Sequence, residues 1–384
     1  MFCNRLSVVS SLVRHSVVIT PRNMSTGRPL VYVTRSDMPQ GGLDLLRKEC
    51  DVRIWEKPSQ VPRNELLKGV VGASGIFCAL TEKIDKELLD AAGPQLKVVG
   101  TISVGHDHID LAECRKRSIR IGYTPDVLTD ATAELTVRLA HRGFSVLFSI
   151  CCYSGNRNTS SVKISTVQPG LALLLATSRR IPEAIHEART GGWAASGAWA
   201  PVWLTGPGLA NATVGIVGFG RIGQAVARRV KAFGTAQILY TSRTDNPQAK
   251  ETGAIRADFD DILKKSDFII CCTALVPETK EMFNKAAFEK MKQTAVFVNT
   301  SRGGTVDQNA LIEALQNNTI WGAGLDVTTP EPLPLDSLLF KLKNCVVLPH
   351  IGSATVETRN VMSELTARNI LAALAGGEMP AEIK

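Results

Sequence analysis

The chain has 384 residues, enough for two domains with separate cores. It is 44% hydrophobic and 21% charged, with a formal charge of +8 from well-spread lysines and arginines. No apolar run reaches the 18 residues of a membrane span, no helix-turn-helix, zinc-finger or RNP pattern points to nucleic acid, and nine scattered cysteines without C-x-x-C spacing argue for free thiols and no metal site.

The first 36 residues lack Asp and Glu and carry Arg5, Arg14, Arg22, Arg28 and Arg35 among Ser, Val and Leu. Residues 1–27 therefore read as a mitochondrial presequence or a disordered start, Met24 being the alternative start of a cytoplasmic form. From Leu30, short apolar runs alternate with helical segments. Strands are expected at Leu30–Thr34, Val52–Trp55, Gly75–Ala79, Lys97–Ile102 and Ile119–Gly122, and helices near 43–50, 64–69, 85–92 and 110–117. A helix beginning near Glu134 breaks off and resumes at Ala172. Between them, residues 138–171 lack acids and contain Gly155, Asn156, Asn158 and Pro169-Gly170. They read as an insertion into one helix, either a surface loop or a translated intron, since Val137-Arg138 can be encoded by a splice-donor-like sequence.

A second series follows Ala212, with strands at Val214–Gly218, Gln237–Thr241, Phe268–Cys272, Ala295–Thr300 and Cys345–Leu348. Its helices are expected at 223–233, 259–265, 286–291, 308–317 and 357–375. The first strand runs into Gly218-Phe219-Gly220-Arg221-Ile222-Gly223, a G-x-G-x-x-G turn opening a helix. Gly218 permits the turn, Gly220 admits a pyrophosphate to the backbone, and Gly223 brings helix to strand. About 20 residues on, an NAD site usually places an acidic residue. Here stand Ser242-Arg243-Thr244, which suit a 2′-phosphate, so NADPH is expected over NADH; Asp245 close by argues the other way.

Three later segments each place polar residues beyond an apolar strand: Asn299-Thr300-Ser301-Arg302-Gly303-Gly304, Gly324-Leu325-Asp326-Val327-Thr328-Thr329-Pro330-Glu331-Pro332, and Pro349-His350-Ile351-Gly352-Ser353-Ala354-Thr355. Reduction of a 2-oxo acid needs a cation on the carboxylate, an acid for the developing alkoxide, and a group that keeps that acid charged. Arg302, His350 and Glu331 suit these tasks. Each alone also has an ordinary structural reading, and only their convergence in space makes a site.

In this order, GFGRIG, NTSRGG, GLDVTTPEP and PHIGSAT resemble the D-isomer-specific 2-hydroxyacid dehydrogenases, and Ser103-Val104-Gly105-His106-Asp107-His108 extends the likeness upstream. The resemblance covers about Leu30 to Lys384 apart from 138–171. It implies that Arg302, Glu331 and His350 are catalytic. It places Val104 and Gly105 on the substrate carboxylate, Asp326 and Ser353 near substrate or nicotinamide, and Ala274, Thr300 and Gly352 on the cofactor. GYTPDVLTDATAEL, the GGW segment with Trp199 and Trp203, and DVTTPEPLP match the branch that reduces glyoxylate to glycolate and hydroxypyruvate to D-glycerate as a homodimer. Phosphoglycerate dehydrogenase and a dinucleotide-sensing corepressor remain the alternatives. The implied fold, which agrees with the strand count, is α/β. A flavodoxin-like substrate domain (28–125 and 350–384) and a Rossmann-type cofactor domain (126–349), both doubly wound parallel sheets, enclose the site in their cleft.

Overall fold

The structure, a computed structural model, describes residues 27–125, 127–128, 170–196 and 199–384. The presequence reading (1–27, but for Gly27) and nearly all of the suspected insertion fall outside them; only its last two residues, Gly170 and Leu171, are described. Two parallel sheets hold the strands of the described residues. The first contains β1 (Leu30–Val33), β2 (Asp51–Ile54), β3 (Gly75–Cys78), β4 (Val98–Thr101) and β5 (Arg120–Gly122) in the order β2-β1-β3-β4-β5. The second contains β6 (Thr213–Val217), β7 (Gln237–Thr241), β8 (Ile255–Arg256), β9 (Phe268–Cys271), β10 (Val296–Asn299), β11 (Gly322–Leu325) and β12 (Cys345–Val347), in the order β12-β11-β10-β9-β6-β7-β8. The first order is flavodoxin-like. The second reverses direction between β6 and β9, the crevice where doubly wound sheets bind dinucleotides.

The central strands are continuous apolar runs because helices bury both faces of each sheet. On one face of the first sheet, Leu43 and Leu46 of the helix Gln40–Glu49 join Met362, Ile370 and Ala373 of the chain's last long helix, Val356–Leu374. Leu66, Leu88 and Cys114 cover the other face. The C-terminal helix thus returns to the first domain after the chain has built the second. In the second sheet, Ile262, Phe288 and Leu311 fill one face. Leu173, Leu174, Val226 and Val230 fill the other. Side-chain caps start several of these helices: Asp85 accepts from the Leu88 N–H at 3.2 Å and Thr355 from Thr358 at 3.1 Å.

Two strands were not among those expected. β8 is only two residues long. β11 reads Gly-Ala-Gly-Leu and lacks the branched residues that mark strands. Its glycines answer to packing: a Cβ on Gly324 would collide with Thr177 and Leu173 of the helix Gly170–Ser178.

Candidate active site

Every candidate side chain stands at the carboxyl end of a strand, where the parallel sheet stops and loops open into the interdomain space. β10 leads to Arg302, β11 to Asp326 and Glu331, β12 to His350, and β4 in the other domain to Val104 and Gly105. A cleft of about 1210 Å³ lies there, lined by Arg35, Ala79 and Ile102 on one side and Asp326, Glu331 and His350 on the other.

His350 Nδ1 and Glu331 Oε2 are 2.9 Å apart, and the second Glu331 oxygen accepts the Thr328 N–H at 3.0 Å. Burial raises the Glu331 carboxyl, but the hydrogen bond and charge of His350, the Thr328 N–H and the charge of Arg302 outweigh it and hold the group below its usual range. An ionised Glu331 fixes the imidazole with a proton on Nδ1, leaving Nε2 to face a ligand.

Asp326 is almost wholly buried. Its two oxygens accept the N–H groups of Ile351 and Gly352, both at 2.8 Å, and its carbonyl accepts the His350 N–H at 3.0 Å. Three bonds from one residue therefore hold the backbone on both sides of the histidine, whose φ of 50° lies in the left-handed region. Burial pushes the Asp326 carboxyl up to about 6, despite the backbone donors and His350, which pull the other way.

Arg302 follows a strand end organised by Asn299. The fully buried Asn299 accepts from the Ser301 N–H and hydroxyl and donates to the Arg302 carbonyl at 3.0 Å. The guanidinium then crosses between the domains: Nε donates to Asp107 at 3.1 Å, and Nη2 lies where a Cβ on Gly105 would have to go. Val104 packs into the first domain's core. Ser353 gives its carbonyl to Arg359 Nε at 3.2 Å.

The cofactor candidates gather at the other end of the second sheet's crevice. Gly218 has a φ of 96°, and a side chain there would strike the backbone of Cys272 and Thr273. Gly220 faces open space, and a Cβ on Gly223 would collide with the Gly218 carbonyl. These are the three demands of a pyrophosphate turn. The helix Arg221–Lys231 starts one residue after Gly220, two residues earlier than expected, so its free N–H groups face the opening. Phe219 stacks on Tyr240 with centroids 4.1 Å apart, and Ile222 packs against cores of both domains. Beyond β7, Ser242 donates to the Thr244 carbonyl, while the exposed Arg243 makes no hydrogen bond or ion pair with any described residue. Asp245 is engaged at 2.7 Å by Arg256, which also donates to the Ser242 carbonyl. Thr300 is buried, Gly352 is held by Asp326, and Ala274 is exposed with its carbonyl accepting from Thr279 at 2.6 Å.

The residues are thus brought together in two groups. His350, Glu331, Asp326, Arg302 and the 104–105 loop form one, and the glycine turn with 242–244 forms the other. Asn299 and Asp107 were not singled out from sequence. Asn299 stood inside a motif already noted, and a polar residue closing an apolar strand was the available signal. Nothing in the sequence pairs Asp107 with a residue 195 positions away.

The profile of the "D-isomer specific 2-hydroxyacid dehydrogenase, NAD binding domain" matches residues 171–352. The chain is 48% identical over 358 residues to the human glyoxylate reductase/hydroxypyruvate reductase, covering 92% of this chain and 97% of that protein. It is 42% identical to the glyoxylate reductase of Thermococcus kodakarensis over 92% of this chain and 95% of the relative. Among solved structures, an NADPH-dependent glyoxylate/hydroxypyruvate reductase of Sinorhizobium meliloti, in complex with NADP and malonate, superposes with a TM-score of 0.73 at 30% identity. It covers 93% of this chain and 97% of its own. With a dinucleotide crevice in one sheet and a cleft of matching polar groups beside it, the chain belongs to the D-isomer-specific 2-hydroxyacid dehydrogenases.

Proposed function

We propose that this protein reduces glyoxylate to glycolate and hydroxypyruvate to D-glycerate with NADPH. The hydrogen bond between His350 and Glu331, both of which line the interdomain cleft, carries the reading. The names of the human and Sinorhizobium meliloti relatives point to the same two substrates, and that of the Thermococcus kodakarensis relative to glyoxylate.

In this reading the substrate carboxylate sits between the Arg302 guanidinium and the N–H groups of Val104 and Gly105, with the carbonyl oxygen toward His350 Nε2. A bound reduced nicotinamide supplies the hydride for the carbonyl carbon. As negative charge grows on the oxygen, protonated His350 delivers its Nε2 proton, and Glu331 holds the imidazolium until it does. Asp326 keeps His350 in register and Ser353 lies at the edge of the same loop. Closure of the cleft excludes water.

The cofactor residues fit a 2′-phosphorylated dinucleotide. Gly218, Gly220 and Gly223 leave the space its pyrophosphate requires, with Arg221 and Ile222 in the first helical turn. Arg243 is uncommitted, and the acidic neighbour that would repel a 2′-phosphate is already paired with Arg256. Phe219, Ala274, Thr300 and Gly352 line the rest.

The exposed Ile185, Trp193, Trp199 and Val202, close together in sequence, support a homodimer. The presequence reading supports a mitochondrial location. The deciding experiment is oxidation of NADPH and of NADH by the purified protein over a panel of 2-oxo acids, with its mass in solution measured alongside. Turnover of glyoxylate and hydroxypyruvate with NADPH is expected; a preference for NADH or inactivity on both acids overturns the proposal.

A further inference from the structure

We infer that Asp107 is a positioning residue for Arg302, so that carboxylate capture is shared between the two domains; this rests on the reading of Arg302 as the carboxylate grip.

The Arg302 guanidinium is committed at two of its three nitrogens. Nε donates to Asp107 Oδ1 at 3.1 Å and Nη1 to the Ser301 carbonyl at 2.8 Å. No hydrogen bond to a described residue engages Nη2, which lies against Gly105. An arginine side chain is long and free to turn, and its fork recognises a carboxylate only when its plane is set. Two bonds, one from Nε and one from Nη1, set that plane, and the first goes to the opposite domain. Asp107 and Gly105 belong to a single loop after β4: one holds the fork, the other leaves room for it.

The loop is itself anchored. Ser103 donates to the Gly105 carbonyl at 2.6 Å and exchanges a 2.8 Å hydrogen bond with Thr101, which also meets the half-buried His108 at 3.1 Å. Asp107 thus stands exposed on an anchored loop, with its carboxylate tied to Arg302. Burial works against its charge, yet Arg302, together with the loop backbone and His108, holds its carboxyl below the ordinary range. His108 in turn is pushed down to about 4, chiefly by burial, so it brings no competing positive charge at neutral pH.

The test uses NADPH-loaded full-length protein and oxamate, a non-reducible mimic of a small 2-oxo acid, with binding read by calorimetry. Wild type, Asp107→Ala, Asp107→Asn, Asp107→Glu and Arg302→Ala are compared. Losing one charge-assisted hydrogen bond corresponds to roughly 10- to 100-fold in affinity. Asp107→Ala is expected to weaken oxamate by that factor with NADPH affinity unchanged. Asp107→Asn, which keeps an acceptor, loses less, and Asp107→Glu recovers part of the loss. With glyoxylate the loss is expected mainly in KM, whereas general damage to the fold would lower kcat and NADPH binding together. Oxamate binding unchanged in Asp107→Ala and Asp107→Asn but lost in Arg302→Ala overturns the role of Asp107 and leaves the Arg302 grip standing. Binding retained in Arg302→Ala overturns both.

Discussion

His350 adopts a backbone conformation that few non-glycine residues tolerate, and three hydrogen bonds from Asp326 keep it there. Replacing the imidazole should therefore remove the acid without disturbing the cofactor crevice. His350→Ala is expected to lower kcat on glyoxylate by about 10²–10⁴-fold while the NADPH dissociation constant stays put; near-normal turnover would exclude His350 as the proton donor. At the far end of the crevice, Arg243→Asp is expected to cut the NADPH-to-NADH efficiency ratio by roughly 10- to 100-fold, and an unchanged ratio would remove Arg243 from the 2′-phosphate site. Asp326 makes a prediction in stability. Its carboxyl rises from 3.8 to about 6 on folding, so the folded state binds the proton more tightly than the unfolded one. Stability from this group is greatest below pH 4 and is lost as pH climbs to about 6. Relative to Asp326→Asn, the wild type should lose on the order of 2–3 kcal/mol between pH 4 and pH 7. Melting curves of the two proteins that keep a constant separation over that range would refute it. Of these three residues, His350 and Arg243 were legible in sequence because strand-end position and residue chemistry suffice to single them out. The clamp by Asp326 was not. Its motif suggested proximity to substrate, but which atoms a buried carboxylate engages depends on the neighbouring strand.

Among the elements, the helices Gln40–Glu49 and Val356–Leu374 make a close crossing that sequence could not announce. Gly42 lies so close to Ser363 that a Cβ would overlap its hydroxyl and its backbone carbonyl, and Ser363 donates to the Pro39 carbonyl at 2.8 Å. Gly42→Ala should therefore cost about 1–3 kcal/mol through overpacking, even though alanine favours a helix. The check is the denaturation midpoint; a stabilised variant would mean that the helices separate freely. The alternating pattern placed both helices to within a few residues, because long apolar periodicity survives any tertiary context. It could not reveal that they pair, since more than 300 residues separate Gly42 from Ser363. For the same reason β11 escaped notice: its small residues are chosen by the helix that lies on it.

Across the whole molecule, residues 138–171 bear on how the second domain is assembled. The helix Gly170–Ser178 is apolar all round, with Leu171, Leu173 and Leu174 buried against the cofactor sheet. Joining Val137 to Ala172 places Val137 where Leu171 stands, an apolar exchange of similar shape. The shortened protein is expected to melt higher than the full chain and to reduce glyoxylate at least as fast; a deleted form that is insoluble or melts lower shows that the segment belongs to the fold. The chain passes from the second domain back to the first between Val347, the end of β12, and Thr355, the cap of the last helix. His350 rides on that crossing. When two bodies swing about a hinge, atoms near the pivot travel least. In the proposed mechanism, Ala79 and Ile102 on the first domain's wall would travel farther on closure than His350 and the Glu331 bonded to it, so that the wall would come to the acid–base pair. A closing movement would thus turn on the residue that the proposed mechanism requires to stay still.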